Sequence, residues 1–241
     1  MKTILLMSMW SSFNYENNMF KNVFLKDFNC VADKNDPDID IIFAGSFIDE
    51  KDKEYIISKK CYKILYISEP IQHHYKIPYL LYIKNEFDMC FGCIFNDPIK
   101  HCVKFPLYAN YIPGNNNVFN NLNNSYKIDN LNNKNFCALI CRHDTWNTRT
   151  TIYNSLIKID NITCPSRLFN NYSNEELNKV GKENFLKNYI FNICPENTYT
   201  DLKGYITEKV MDACKSGCIP IYLEDVMDDI DKKIFNIKRI I

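Results

Sequence analysis

Short apolar runs recur along this chain, and most of them end at a Gly, a Pro or a polar residue. In the first half the runs are Lys2–Met9, Ile39–Gly45, Cys61–Ile67 and Phe87–Gly92. A run that is apolar throughout is typical of a strand buried on both faces of a sheet. Intervals of roughly 20 to 25 residues between runs leave room for a crossover helix. The first half therefore predicts a parallel α/β sheet.

The second half repeats this pattern. Apolar runs at Phe136–Cys141, Tyr189–Cys194 and Cys218–Tyr222 predict three more strands, although Pro220 weakens the last one. Two helices are predicted among them. They are Thr148–Lys158, with Ile152, Leu156 and Ile159 on one face, and Thr207–Ser216, with Gly217 at its C-terminal end.

The segment Asn115–Asn135 separates the two halves. It is crowded with Asn and has few apolar residues, so we interpret it as an interdomain linker or an exposed loop. Two α/β halves joined in this way would form a cleft between them, and such clefts are common ligand sites. The predicted domains are residues 1–125 and 126–241.

Charge and hydropathy exclude several classes of protein. The chain has 29 basic and 29 acidic side chains, so it has no global field that would attract a nucleic acid. Its 46% hydrophobic content argues against wholesale disorder. No apolar run reaches the roughly 20 residues that span a bilayer, so no transmembrane segment is predicted.

The N-terminus and the cysteines bear on the compartment. Met1–Trp10 is similar to a short signal peptide, but a buried first strand is the favoured interpretation. The 11 Cys cannot all pair with one another. Cys90 and Cys93 have the spacing of half a zinc site, whereas the favoured alternative is that the cysteines act as small, reduced hydrophobes. Reduced thiols predict a cytoplasmic protein, and peripheral association with membranes or glycan-assembly sites stays open.

The segment Asn192–Lys209 contains the most informative residues. A strand ends there, a polar loop follows, and a helix begins near Thr207; in an open α/β sheet such a loop lines the ligand crevice. The helix N-terminus and Lys209 would suit a phosphate, Glu208 a sugar diol, and the flat ring of Tyr205 a base or sugar. These residues are consistent with a nucleotide-diphosphate site, and equally with a capped helix whose Glu and Lys are solvated.

Several motifs together favour the first alternative. The first motifs are Tyr205–Lys209, a helix and then Gly217–Tyr222. In this order they resemble the signature of the glycosyltransferase family 10 fucosyltransferases. Further segments match the family in the same order, so that the resemblance covers about residues 39 to 241. They are Tyr66–Glu69, Phe87–Gly92, Phe105–Tyr108, Phe136–Ile140 with Arg149, the Glu196–Asn197 pair, and Phe235–Ile241.

The resemblance implies a GT-B fold, in which two Rossmann-like domains face a cleft. It implies an inverting transfer of L-fucose from GDP-fucose to a hydroxyl of an N-acetylglucosamine-containing glycan, in α-1,3 linkage, without a cofactor or an obligatory metal. Residues 1–125 would be the acceptor-side domain with the catalytic base, and residues 126–241 the GDP-fucose-binding domain. The implied site residues are Glu69 as general base, Arg149 and Lys209 as catalytic cations at the diphosphate, and Asn197, Tyr205, Glu208, Arg149 and Lys209 as donor contacts.

The reaction requires groups of these kinds. Inversion in one displacement needs a carboxylate that takes the proton of the attacking hydroxyl. The leaving diphosphate gains negative charge, so cations must be positioned beside it beforehand. Arg149 is one of only four Arg in the chain, which adds slightly to its significance.

Three departures from the family pattern keep alternatives open. Ser68 and Pro70 replace the usual neighbours of the base, Leu223–Glu224 replaces a Trp-Gly pair, and the family pattern continues past Ile241. The alternatives are a weakened or inactive member that binds nucleotide or glycan, and a transferase of the same fold that uses another nucleotide sugar. His73 and His74 are candidate acceptor contacts, although exposed loop histidines are the favoured interpretation.

Overall fold

The structure is a computed structural model that describes residues 1–68, 84–92, 102–111, 131–197, 204–235 and 237–241. Its contacts divide the chain into two compact units, Met1–Gly114 and Asn115–Ile241. The predicted boundary at 125/126 lies outside the described residues and stays a prediction.

The described part of the first unit contains a parallel sheet in the order β2-β1-β3-β4-β5-β6. This order means that the chain adds one strand on one side of β1 and the later strands on the other side, as in doubly wound folds. The strands are β1 (Thr3–Met7), β2 (Asn29–Val31), β3 (Ile39–Gly45), β4 (Tyr62–Ile67), β5 (Met89–Gly92) and β6 (Cys102–Lys104). The helical segments are α1 (Glu50–Ser58), a π-helical turn at Phe20–Phe24, and 3₁₀ turns at Lys84–Glu86 and Leu107–Tyr111.

Both faces of this sheet are buried, as its apolar strands predict. One face packs beneath α1 in a cluster that includes Leu5, Ile42, Ile56 and Leu65. The other face contains an aromatic cluster in which Phe20 lies 5.0 Å from Phe43 and 4.9 Å from Tyr66 between ring centroids. The N-terminal run is therefore a buried strand, as predicted.

Gly92 shows why the run Phe87–Gly92 ends in glycine. Its φ is +134°, and a Cβ at this position would lie 2.1 Å from the carbonyl oxygen of Ile67. Only glycine permits this conformation and this close approach of two strand ends. The end of β4 is thereby held against β5, immediately before Ser68.

The second unit contains a smaller parallel sheet, in the order β10-β9-β7-β8 among the described residues. Its strands are β7 (Asn135–Ala138), β8 (Ile162–Thr163), β9 (Tyr189–Ile193) and β10 (Ile219–Ile221). The helices are α2 (Thr148–Leu156), α3 (Asn174–Val180), α4 (Lys182–Leu186), α5 (Glu208–Lys215) and α6 (Asp229–Ile234), with 3₁₀ turns at Leu131–Asn133, Glu224–Val226 and Ile237–Arg239.

Helix α2 covers one face of this sheet. Ile152 and Leu156 pack against the buried cluster of Cys137, Leu139 and Ile193. The prediction that Ile159 shares this face is wrong, because the helix ends at Leu156 and Ile159 is 70% exposed.

Helix α5 ends as the sequence predicts. Gly217 has a φ of +71°, and the amides of Gly217 and Cys218 donate to the carbonyls of Cys214 and Ala213. This is the Schellman arrangement, which satisfies the last carbonyls of a helix. Pro220 is accommodated because β10 lies at the edge of the described sheet.

Candidate functional site

The candidate site lies at the carboxyl edge of the second sheet, at the point where the strand order reverses. β7 is flanked by β8 on one side and by β9 on the other, so the loops that follow β7 and β9 diverge at their carboxyl ends. Ligands of open α/β sheets bind in the crevice at such a switch point. The loop after β7 leads to Arg149, and the loop after β9 contains Asn197.

Arg149 joins these two loops. Its guanidinium donates to the carbonyl oxygen of His143 at 2.8 Å, to that of Pro195 at 2.8 Å and to Oδ1 of Asn197 at 2.7 Å. The preceding turn is fixed by Asp144, which accepts from the amide of Thr150 at 2.6 Å. The structure therefore brings together two residues that the resemblance implied, Arg149 and Asn197.

The partners of Arg149 are neutral. The residue is only 3% exposed, and within the described parts of the chain no carboxylate forms an ion pair with it. A buried charge without a counter-ion is costly, and such a charge suits a site that receives an anionic ligand. Burial raises the pKa of the neighbouring Cys141 thiol to about 11, so this sulfur does not supply the missing negative charge near neutral pH.

Lys209 lies in the first turn of α5. The helix is capped by Thr207, whose side chain accepts from the amide of Lys209. The Lys209 ammonium donates to Glu196 at 2.9 Å and to Oγ1 of Thr207 at 2.9 Å, and lies 3.8 Å from Glu208. Burial alone would lower the pKa of Lys209, but Glu196 and Glu208 outweigh burial and raise it. The amine therefore stays protonated at neutral pH.

Of the two carboxylates beside Lys209, Glu208 is more accessible to solvent than Glu196. Burial by itself would raise the pKa of Glu208, but Lys209 and Lys182 together with hydrogen bonds lower it. The group is thus an ionised acceptor at neutral pH, the state in which it can accept hydrogen bonds from two hydroxyls of a diol.

Glu196 is a site residue to which the sequence analysis gave no role of its own. Its side chain is fully buried and accepts hydrogen bonds from Thr207, Lys209 and Tyr222. The available signal was its position directly after β9, beside Asn197. An acidic residue at such a position reads as solvated unless the contact with Tyr222, which is distant in sequence, is known.

Tyr205 is buried, whereas the sequence predicts that its flat ring is open to a base or sugar. The residue is 2% exposed and lies in the interior of the second unit, while the amide of Gly204 donates to the carbonyl of Val226. Its role as a donor contact stays a prediction.

The acceptor-side residues Glu69, His73 and His74 lie outside the described residues. Ser68, which precedes the predicted base, is buried at the carboxyl end of β4, and its hydroxyl is 3.0 Å from that of Ser46. Leu223–Glu224 follows β10, with Glu224 at the start of a 3₁₀ turn.

Other features of the described residues bear on the sequence predictions. Cys137, Cys141, Cys164, Cys194 and Cys218 are buried free thiols. Within the described ranges no group of His, Cys, Asp and Glu could hold a metal ion, while Cys93 of the possible zinc motif lies outside them. No helix in the same ranges is long and apolar enough to cross a bilayer.

An open groove of about 520 Å³ also lies in the second unit. It contains none of the predicted site residues. Its lining includes Asn135, Thr163, Tyr172, Glu176 and Tyr189. The groove is therefore separate from the cluster around Arg149.

Comparison with known proteins shows what the two units resemble. Residues 130–236 match the family described as "Glycosyltransferase family 10 (fucosyltransferase) C-term". The chain is 34% identical over 87 residues to "Alpha-(1,3)-fucosyltransferase FucT" of Helicobacter pylori, a match that covers 36% of this chain. The matched part spans only 17% of that relative's length.

Solved structures extend the likeness to the first unit. A crystal structure of an α1,3-fucosyltransferase shares 21% identity with a TM-score of 0.62, covering 92% of this chain and 68% of that one. Crystal structures of an α1,3-fucosyltransferase with GDP and with GDP-fucose, at 21% and 20% identity, have TM-scores of 0.59 and the same coverage.

The two parallel, doubly wound sheets and these neighbours show that the chain has the GT-B fold. Over residues 130–236 the second unit resembles glycosyltransferase family 10. The fold class and the family resemblance that the motifs implied are thus confirmed.

Proposed function

We propose that this chain transfers L-fucose from GDP-fucose to a hydroxyl of an N-acetylglucosamine-containing glycan, in α-1,3 linkage and with inversion at the anomeric carbon. The observation that carries the proposal is the buried Arg149, held by neutral acceptors beside Lys209 within the family 10 segment. A structurally similar α1,3-fucosyltransferase has been solved with GDP-fucose, which supports the choice of donor.

On the donor side, Arg149 and Lys209 face the diphosphate. As the bond between the anomeric carbon and the phosphate oxygen breaks, negative charge grows on the leaving GDP, and the two cations stabilise it. Three of the five N–H donors of the guanidinium bond the two loops, and a remaining one can donate to a phosphate oxygen. Asn197, Glu208 and Tyr205 contact the ribose and nucleotide. This positive charge makes a metal unnecessary.

On the acceptor side, Glu69 is the general base. It takes the proton of the acceptor hydroxyl while that oxygen forms its bond to the anomeric carbon, so that one displacement gives inversion. The first domain binds the glycan, with His73 and His74 as candidate contacts, and the second binds GDP-fucose. The buried free thiols of the second unit suit a reducing compartment such as the cytoplasm.

A second candidate is a member that binds GDP or glycan without turnover. It is favoured by Leu223–Glu224, because an added carboxylate near the donor site would repel a diphosphate. A transferase that uses another nucleotide sugar is the third.

The test measures transfer of labelled fucose from GDP-fucose to N-acetyllactosamine by the full chain, with and without EDTA. The variant Glu69→Ala is assayed under the same conditions. We expect turnover that EDTA leaves unchanged and that Glu69→Ala reduces by about 10²-fold or more. Full activity of Glu69→Ala would refute the base assignment. Tight GDP binding without transfer would favour the second candidate, and transfer only from another nucleotide sugar in a donor panel the third.

A further inference from the structure

We propose that Glu196 is a positioning residue of the donor site, which holds Lys209 and the first turn of α5 in place at the carboxyl edge of the sheet. This inference rests on the proposed function, because it assigns a task within the proposed diphosphate site. It concerns a side chain that does not itself touch the donor and that acts through Lys209.

The geometry supports this role. Oε1 of Glu196 accepts from the amide of Thr207 at 2.7 Å and from the hydroxyl of Tyr222 at 2.9 Å. Oε2 accepts from the Thr207 hydroxyl at 2.8 Å and from the Lys209 ammonium at 2.9 Å. These donors belong to the N-cap of α5, to its first turn and to the residue after β10. The carboxylate thus joins three chain segments, namely its own loop after β9, the start of α5 and the residue after β10.

The network needs a carboxylate at this position. A buried, unpaired carboxylate would be strongly unfavourable, whereas four hydrogen bonds, one of them from a cation, satisfy this one. A glutamine has one acceptor oxygen and would turn an NH₂ group toward donors that require an acceptor. Glu196→Gln therefore preserves the size of the side chain but breaks the pairing with Lys209.

The charges around Lys209 define what this pairing does. The titratable groups near it are Glu208 on its own helix, Glu196 after β9, Arg149 on α2, and the thiols of Cys141 and Cys194. Burial is the largest effect that opposes the protonated state of Lys209, and the charge of Arg149 opposes it as well. Glu196 is the largest contribution in its favour. Without Glu196, the ammonium would lose both its anchor and part of its tendency to stay protonated.

The first experiment measures GDP binding by calorimetry for the full chain and for Glu196→Gln between about pH 6.5 and 8.5. We expect Glu196→Gln to bind GDP on the order of tenfold more weakly, and its deficit relative to the wild type to grow as pH rises. Tyr222→Phe is the matched control. It removes one hydrogen bond to the same carboxylate, leaves the ion pair, and is expected to change GDP binding by less than about threefold.

The second experiment is a double-mutant cycle with Lys209→Met. If Glu196 acts through Lys209, adding Glu196→Gln to Lys209→Met costs little further affinity, and the pH-dependent deficit disappears. Additive losses, or a Glu196→Gln protein with the affinity and pH profile of the wild type, would overturn the proposal. If Glu196→Gln fails to fold, Glu196→Asp replaces it, because it keeps the charge but withdraws it from Lys209; unchanged GDP binding by this variant would equally overturn it.

A third measurement separates this inference from the proposed function. Competitive acetylation followed by mass spectrometry reports the reactivity of the Lys209 amine without any nucleotide. We expect Glu196→Gln to raise this reactivity several-fold while Tyr222→Phe leaves it unchanged. If the wild-type chain does not bind GDP, the proposed function alone is contradicted. If the reactivity of Lys209 is unchanged in Glu196→Gln, the role of Glu196 is contradicted.

Discussion

At the scale of single residues, the site depends on how two cations are held. Arg149 is oriented by two carbonyl oxygens and one amide oxygen, so its charge stays uncompensated among the described residues. Lys209, in contrast, has an internal counter-ion in Glu196. We infer that Arg149 supplies most of the attraction for a diphosphate, while Lys209 supplies a positioned donor.

This difference predicts that Arg149→Lys is not a conservative change. A lysine has no planar fork, so it cannot bond both loops and a phosphate together. We expect GDP binding to weaken by about 10- to 100-fold, measured by calorimetry. Arg167→Lys is the control, since Arg167 is exposed elsewhere in the same unit. Equal GDP affinity of Arg149→Lys and wild type would contradict the assignment.

The sequence predicts these two cations as candidate site residues, but it does not predict which residues support them. Arg149, Asn197, Glu208 and Lys209 could be selected because their types suit a nucleotide sugar and their positions match family motifs. The sequence gives Glu196 no role of its own because its partners come from two separate segments, the start of α5 and the residue after β10, and only the folded chain brings Tyr222 to it.

At the scale of elements, long apolar strands were predictable and short edge strands were not. The seven apolar runs are all strands, with ends shifted by a few residues at most. β2, β6 and β8 are not predicted, because they contain only two or three residues each and include polar residues such as Asn29, Lys104 and Thr163. Such strands form because a neighbouring strand offers backbone partners, which local sequence does not reveal.

The strand ends give a prediction about Gly92. Gly92→Ala would force a Cβ against the carbonyl of Ile67, whereas Gly181, also at positive φ, has open space around it. We expect Gly92→Ala to lower the free energy of unfolding by on the order of 3 kcal/mol or more, and Gly181→Ala by about 1 kcal/mol. Urea denaturation measures both values, and hydrogen exchange in β4 and β5 localises the loss. Similar costs for the two variants would contradict this explanation.

At the scale of the whole molecule, the buried thiols couple stability to pH. Burial raises the pKa of Cys137, Cys164 and Cys218 to about 12 and that of Cys141 to about 11. Unfolded thiols ionise near about 8.5. The folded chain therefore holds these protons over a range of pH in which the unfolded chain releases them.

The sign of the effect follows from this difference. The stability that these raised pKa values contribute is present below about pH 8.5 and is lost as pH rises toward 11 to 12, by about 1.4 kcal/mol per pH unit for each thiol. We expect urea midpoints under reducing conditions to fall steeply between about pH 8.5 and 10. The urea midpoint of Cys164→Ala should fall less steeply with pH than that of the wild type. The slope of Cys30→Ala, which removes a half-buried thiol, should stay closer to that of the wild type. A midpoint independent of pH in this range would contradict the prediction.

The proposed function of the whole chain is the transfer of fucose from GDP-fucose to a glycan. The most direct measurement is a mass-spectrometric assay with the full chain, GDP-fucose and N-acetyllactosamine, which counts fucosylated product and released GDP. We expect product and GDP in equal amounts with the wild type, and a loss of both with Arg149→Lys but not with Arg167→Lys. No fucosylated product from the wild type, or equal turnover by Arg149→Lys, would contradict it.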